Sequence, residues 1–336
     1  MLMKNPVGLL TGFFFNSHFF YFFIMRLIRG FSNLSTLSRG CVLTIGNFDG
    51  VHLGHRTVIE TLATRGRELN LPTAIMLFEP QPLEYFLADN APSRLMRLRE
   101  KILALNSLPL DYVVIVRFNQ ILADYEPEQF IRQILVSKLN VKHLVIGDDF
   151  HFGKARRGNF KLLQEQGQLL GFSVEKSTTY RHTDLRISST LIRDALNAGD
   201  LGQAKRLLGR DYSICGRVAQ GDQLGRTLGF PTANIKMLRR NTPIRGVFAV
   251  TMTGIDNREF QGVANVGTRP TIDGKRKVIL ETHLFDFNQD IYGCYVSVQF
   301  KHKLRDELRF TSLEELQRQI CHDVIVAKEF FNSRTC

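Results

Sequence analysis

The stretch Thr44-Ile45-Gly46-Asn47-Phe48-Asp49-Gly50-Val51-His52-Leu53-Gly54-His55 constrains this chain more than any other. The residues before it, Cys41-Val42-Leu43-Thr44-Ile45, are apolar and β-prone, and those after it, Arg56-Thr57-Val58-Ile59-Glu60-Thr61-Leu62, read as a helix. A strand that turns tightly into a helix aims unpaired N–H groups and the positive end of the helix dipole at one point. Such a point binds an anion, most often a phosphate. His52 and His55 stand three residues apart, so both can lie on one face of the opening turn. Gly46 and Gly50 let the backbone come close to a ligand. A lone histidine at a helix start is usually a cap, but this pair at a glycine turn reads as a nucleoside triphosphate site.

The strand–helix rhythm continues for another 130 residues or so. Residues 73–78 form a short apolar run that ends in Glu79-Pro80-Gln81-Pro82, where two prolines forbid continuation and stiffen a loop. A helical pattern over 93–107, a strand at 111–116 and a helix at 127–139 with Glu128 in its first turn follow. A strand at 143–147 runs into Asp148-Asp149-Phe150, then come a helix at 158–170 and a strand at 172–175. This alternation predicts an α/β, Rossmann-like domain with a doubly wound parallel sheet and ligands at the carboxyl ends of its strands. The loops at 46–55, 78–82 and 147–153 should then share one rim. In Arg186-Ile187-Ser188-Ser189-Thr190-Leu191-Ile192-Arg193, the hydroxyls either cap a helix or join the two arginines in clamping phosphates.

From about residue 212 the pattern changes. Short alternating runs at 213–219, 246–253, 260–264, 278–285 and 295–300 predict a small antiparallel barrel. A final helix over 312–330 places Leu313, Leu316, Ile320 and Val324 on one face, and 200–210 reads as a short helical connector. Within the barrel, Gly221-Asp222-Gln223-Leu224-Gly225-Arg226-Thr227-Leu228-Gly229-Phe230-Pro231-Thr232-Ala233-Asn234 is chemically dense. Its glycines at intervals of four are either turn residues or a phosphate cradle. Thr232 and Asn234 offer oxygen ligands to a magnesium ion, which keeps waters and needs only one or two protein groups. Glu281 stands in an otherwise apolar strand. It is either a solvent-facing residue or a general base, since a carboxylate turned into a barrel is costly unless it is used.

At 336 residues the chain is long enough for two cored domains. Its net charge of +12 is spread over both halves, with 23 Lys/Arg against 18 Asp/Glu in residues 1–200 and 21 against 14 in 201–336. A nucleic-acid binder concentrates such charge. The tightest runs here, Arg239-Arg240 and Lys275-Arg276-Lys277, are short, so a solvated basic surface around sites for anionic small molecules is favoured. The five scattered cysteines include no C-x-x-C pair, which argues against a disulfide framework or zinc site and for a reducing, cytoplasmic setting. Residues 1–24 are Phe-rich and foreign to the rest, interrupted by Asn16-Ser17-His18 and without a small-residue cleavage site. The simplest expectation is that they are an upstream extension, that the protein begins at Met25, and that no membrane is involved.

Several separated motifs together resemble one family, the prokaryotic bifunctional riboflavin kinase/FMN adenylyltransferases, or FAD synthetases. They are the Thr44–His55 stretch, Phe78-Glu79-Pro80-Gln81-Pro82, Gly147-Asp148-Asp149-Phe150-His151-Phe152-Gly153, Arg186-Ile187-Ser188-Ser189-Thr190, Gly229-Phe230-Pro231-Thr232-Ala233-Asn234, Gly262-Val263-Ala264-Asn265-Val266-Gly267-Thr268-Arg269-Pro270-Thr271 and Leu304-Arg305-Asp306-Glu307. The resemblance covers residues 25–331. It implies an adenylyltransferase domain over 25–199, a connector at 200–211 and a kinase domain over 212–336.

In the first domain the resemblance implies that His52 and His55 contact the ATP phosphates, beside Gly46, Asn47, Phe48, Gly50 and Asp149, while Arg186, Ser189 and Thr190 hold the departing pyrophosphate. Phe78, Pro80 and Pro82 would line the flavin pocket. In the second it implies ATP at Gly225, Arg226, Thr227, Gly229, Phe230 and Pro231, Mg2+ on Thr232 and Asn234, Glu281 as catalytic base, and flavin at Arg305. ATP, riboflavin, FMN and FAD would be the substrates and products, with no nucleic-acid partner and no oligomeric state specified. Two features depart from the family pattern: the Phe-rich leader has no counterpart, and His151 stands where a more basic or polar residue is expected.

Overall fold

The computed structural model describes residues 25–32, 34–147, 149–177, 181–182, 185–221, 225, 228–270 and 276–333. Residues 1–24, together with Asp148, Arg226 and Thr227, lie outside that set. The chain forms two compact units. The first contains the residues up to Pro92 and Leu98–Ile187; the second contains Ser93–Arg97 and the residues from Ser188 onward.

The first unit is a six-stranded parallel sheet of β1 (Arg26–Arg29), β2 (Cys41–Ile45), β3 (Thr73–Glu79), β4 (Tyr112–Arg117), β5 (Val141–Ile146) and β6 (Ser173–Lys176), in the order β1-β4-β3-β2-β5-β6. All five residues of β2 are buried, because a central parallel strand has both faces covered. Cys41 belongs to that packing: burial pushes its thiol up to about 12. Helices α1 (Leu53–Leu69), α2 (Pro82–Leu87), α3 (Leu98–Leu105) and α4 (Phe160–Leu170) connect the strands. Pro127–Gln129 opens another connector, which continues over Phe130–Lys138 with wider, five-residue hydrogen bonds such as Leu139 N to Ile134 O. Successive strands are laid down in one direction from β2 to β4, and β5 and β6 are added on the other side of β2. The β2/β5 boundary is therefore the switch point at which such sheets bind ligands.

Side chains lock this arrangement. The Asp111 carboxylate accepts from the N–H and hydroxyl of Thr73 at 2.8 and 2.9 Å, fixing the start of β3 beside β4. On the opposite flank, Arg65 of α1 donates to Glu175 of β6 at 2.6 Å, and His143 of β5 contacts Glu175 at 3.2 Å and Ser173 at 2.7 Å. The helix that begins at the glycine turn is thereby pinned to the sheet at its far end.

The helix expected over 93–107 is shorter, starting only at Leu98. Carbonyls that would open it are committed elsewhere: Arg193 donates to Ser93 O at 2.6 Å, and Arg239 to the carbonyls of Arg94 and Leu95 at 3.2 Å. The four-residue strand β1 and the small hairpin β7 (Arg181–His182) with β8 (Leu185–Arg186) were not expected. Both are too short for alternation to reveal.

In the second unit, α5 (Ser189–Ala198) and α6 (Leu201–Leu208) precede a closed antiparallel barrel. Its strands β9 (Ser213–Ala219), β10 (Ala233–Lys236), β11 (Gly246–Ile255), β12 (Arg258–Pro270), β13 (Arg276–Leu284) and β14 (Tyr295–Arg305) close in the order β10-β13-β12-β11-β14-β9. Phe248, Val250, Val298 and Phe300 fill the inside and are almost wholly buried. The other face of β11 and β12, through Val247, Ala249 and Val263, packs on Ala327 and Phe331 of the last helix, α7 (Leu313–Asn332).

Arg65 holds Glu175 below its ordinary carboxylate range, while burial lowers His143. Both signs act in acid. The Glu175 contribution is complete above pH 4.5, its ordinary value, and fades as pH falls below it; His143 resists the charging that begins below pH 6.5. Glu175→Gln should therefore flatten the pH–stability curve below about pH 4.5, where Glu175 would be protonated, read by urea unfolding at a series of pH values.

Candidate active sites

Between β2 and α1 the backbone makes a compact turn with positive φ at Phe48 (46°), Gly50 (88°) and Val51 (41°). Phe48 and Val51 are buried, so packing holds two non-glycine residues in a conformation they adopt reluctantly. His52 caps α1: its Nδ1 accepts from His55 N at 3.3 Å, which leaves the proton of the neutral ring on Nε2. The two imidazoles stack with centroids 3.6 Å apart, and Phe48 lies 4.8 Å from the His55 ring. Gly54 permits this, because a Cβ there would come within 3.3 Å of the His52 ring. Ile187 is buried, with its carbonyl 3.7 Å from the same point.

The loops after β3 and β5 flank this turn at the rim of the sheet. In the first, Phe78 is half-buried and meets Phe118 edge-on at 5.7 Å, while Pro80 and Pro82 are partly exposed. Pro82 opens α2, which Gln81 and Glu84 cap reciprocally. In the second, Asp149 is exposed, Phe150 stacks on Phe152, and His151 Nδ1 lies 3.0 Å from the Asp149 carbonyl. For the hydroxyl run, Ser188 takes the capping role, accepting from Leu191 N at 3.3 Å. Ser189 and Thr190 are the first residues of α5. The Arg186 backbone closes the β7–β8 hairpin, and its side chain lies outside the described residues.

Sequence reasoning missed Lys101 in this unit. It sits on α3, is only 2% exposed, and its ammonium donates to the Asn47 carbonyl inside the turn. A lysine beside Ile102 in a helical pattern carries no signal of what it reaches.

In the barrel, register brings together residues that the sequence separates. Asn234 stands opposite Glu281, and Glu281 opposite Asn265, which in turn faces Val247. Neighbouring strands are about 4.8 Å apart, so the three polar side chains form one row. Leu280 and Thr282, the neighbours of Glu281, are buried in the barrel. Glu281 therefore does not face the interior: it stands on the outer wall, on the side that α7 covers. A pocket of about 230 Å³ lies there, with Leu316, Ile320, Asp323 and Val324 of α7 as its far side. Arg269 pairs with Glu281 at 3.0 Å.

Thr232 and Asn234 are both backed by glycine. A Cβ on Gly221 would fall 2.1 Å from the Asn234 amide, and one on Gly225 would come within 3.3 Å of the Thr232 hydroxyl. Gly229 has φ of 86°, the carbonyl of exposed Pro231 accepts from His283 Nδ1 at 3.0 Å, and Phe230 meets the His283 ring edge-on at 5.4 Å. Arg305 lines the pocket, held by the nearly buried Asp323 at 2.7 to 3.1 Å. Asn265 and Arg269 lay in a quoted motif without an assigned role. Asp323 gave no signal beyond being a carboxylate on an amphipathic helix. Among the described residues, no three His, Cys, Asp or Glu side chains gather as a metal-binding group, and no helix is long and apolar enough to cross a membrane.

Two polar sites of unlike construction, one on a parallel sheet and one on a barrel wall, fit a two-headed phosphate-transfer enzyme. The comparisons agree with that class. The FAD synthetase family model matches residues 34–191, and the riboflavin kinase model matches residues 208–331. The chain is 52% identical to the bifunctional riboflavin kinase/FMN adenylyltransferase of Haemophilus influenzae, over 92% of this chain and 100% of that protein. It is 50% identical to the protein of the same name from Escherichia coli K12, over 91% and 98%. A crystal structure of a protein named macrolide-efflux protein, from Streptococcus pneumoniae, superposes with a TM-score of 0.76 at 28% identity, over 91% of this chain and 99% of that one. The chain belongs to the bifunctional riboflavin kinase/FMN adenylyltransferase family.

Gly221→Ala should push the Asn234 amide out of the row. A misplacement of about 1 Å costs on the order of 100-fold in rate, so riboflavin phosphorylation should fall by about that factor while FMN adenylylation is retained. Separate assays of the two half-reactions check this.

Proposed function

We propose that the family's two activities are housed separately in this chain, adenylyl transfer to FMN over residues 25–199 and riboflavin phosphorylation over 212–336, joined by 200–211. The observation that carries the assignment is the cross-strand row of Asn234, Glu281 and Asn265 beside the glycine-backed Thr232, set apart in sequence from the stacked His52 and His55.

In the kinase half, the riboflavin 5′-hydroxyl attacks the γ-phosphorus of ATP and ADP leaves. Glu281 accepts the hydroxyl proton, and Arg269 must yield its ion pair as the substrate arrives. The residues present suit magnesium: a hydroxyl and a carboxamide are hard oxygen donors, and the glycines behind them leave space that a Cβ would fill. Thr232 and Asn234 would hold it, and the ion would neutralise charge on the phosphates. Gly225, Arg226, Thr227, Gly229, Phe230 and Pro231 form the rest of the ATP loop. The apolar side of α7 takes the flavin ring, with Arg305 at its edge.

In the adenylyltransferase half, a phosphate oxygen of FMN attacks the α-phosphorus of a second ATP and pyrophosphate leaves. No enzyme-bound covalent intermediate forms. The turn at Gly46, Asn47, Phe48 and Gly50 receives the ATP phosphates, while His52 and His55 stabilise the charge that develops in the transition state. Asp149 borders the nucleotide, Arg186, Ser189 and Thr190 take the pyrophosphate, and Phe78, Pro80 and Pro82 receive the flavin. Free thiols and small-molecule substrates fit a cytoplasmic enzyme. The efflux name of the pneumococcal protein is not carried over, since both halves match flavin-enzyme families.

The test is a time course with riboflavin, ATP and Mg2+ in which FMN and FAD are separated. His52→Ala with His55→Ala should lower FAD formation at least about 100-fold and leave FMN accumulating. Glu281→Gln should lower FMN formation about 100-fold or more yet convert supplied FMN to FAD. Loss of both activities from either change would contradict separate sites. Chelating the metal should stop riboflavin phosphorylation, and restoring Mg2+ should recover it.

A further inference from the structure

Lys101 is among the largest fully buried side chains of the protein, and lysine is almost never buried unless its charge is engaged. It lies on α3, where Ile102 and Leu105 are buried as well, and its ammonium donates to the carbonyl of Asn47. That carbonyl belongs to the turn with positive φ at Phe48, Gly50 and Val51, which is closed by a bond from Val51 N–H to the Phe48 carbonyl at 3.3 Å. In such a turn a carbonyl left at the mouth would repel an anion. A buried ammonium that captures it removes the repulsion, adds positive charge, and helps to hold two non-glycine residues in left-handed backbone.

We infer that Lys101 is a positioning residue for adenylyl transfer, clamping the Asn47 carbonyl so that the turn keeps the shape that receives the ATP phosphates. The inference rests on the placement of ATP at this turn. It assigns a role to a residue outside the glycine–histidine motif, one that need not touch substrate. The requirement is for a cation: a neutral donor of similar reach keeps the hydrogen bond but not the charge.

The test uses the full-length protein with Lys101→Met, Lys101→Gln and Lys101→Arg. In each, FAD formation is measured against ATP concentration and FMN binding is followed by flavin fluorescence to report a folded first unit. Lys101→Met should lower kcat/KM for ATP about 100-fold, with the KM for ATP raised, FMN binding kept and riboflavin phosphorylation unchanged. Lys101→Arg should recover at least a tenth of the parent value, and Lys101→Gln should not. A residue that only fills space would reduce the folded fraction while the surviving enzyme kept the parent KM for ATP. Parent-like kinetics in a folded Met or Gln variant would overturn the inference, and so would an Arg variant no better than Gln. If Lys101→Met fails to fold, the Gln and Arg pair supplies the same comparison. The double substitution His52→Ala with His55→Ala runs in parallel. If it still forms FAD at the parent rate, the placement of ATP is wrong; if it is inactive and the Lys101 variants are parent-like, only the role of Lys101 fails.

Discussion

A central strand covered on both faces has almost no freedom, and the first unit is built around that constraint. β2 is fixed in register by β3 on one side and β5 on the other. Its end therefore fixes the position of Gly46, and the helix that follows is tied to the sheet through Arg65 and Glu175. With both ends of the connection immobile, the intervening turn can hold strained backbone at Phe48 and Val51 without relaxing. The stacked imidazoles and the clamped carbonyl follow from this rigidity.

The second unit solves a related problem with different means. It lacks a central parallel strand with a helix at its end, and its polar row comes from antiparallel register across β10, β13 and β12. Pleating sends alternate side chains to opposite faces, so the arrangement that buries Leu280 and Thr282 inside the barrel places Glu281 outside. α7 then converts an open wall into a pocket, and the Arg305–Asp323 pair anchors the helix to the strand that contributes the arginine. The carboxylate is thus partly shielded without being entombed, and it pairs with Arg269.

Much of this was legible in the chain. The glycine–histidine turn, the alternation of strands and helices and the switch to short strands near residue 212 all depend on neighbours within a few positions, and local patterns report them directly. The orientation of Glu281 was left open because alternation separates two faces without saying which one lies inside a closed barrel. The start of α3 was placed too early because the carbonyls of Ser93, Arg94 and Leu95 bond to arginines about 100 and 145 positions away. Lys101 and Asp323 had no local mark, and Asn265 lay in a motif with no role assigned, since each meets partners distant in sequence.

By itself the sequence determined the local conformations: a tight turn between strand and helix, glycines where a side chain would collide, two imidazoles at the opening of a helix. Only the tertiary structure decided which atoms meet. Strand register set the row of Asn234, Glu281 and Asn265, closure of the barrel chose the face, and burial of α3 carried an ammonium to the Asn47 carbonyl. Short-range sterics are written in adjacent residues, whereas contacts across strands and helices exist only after the chain has folded.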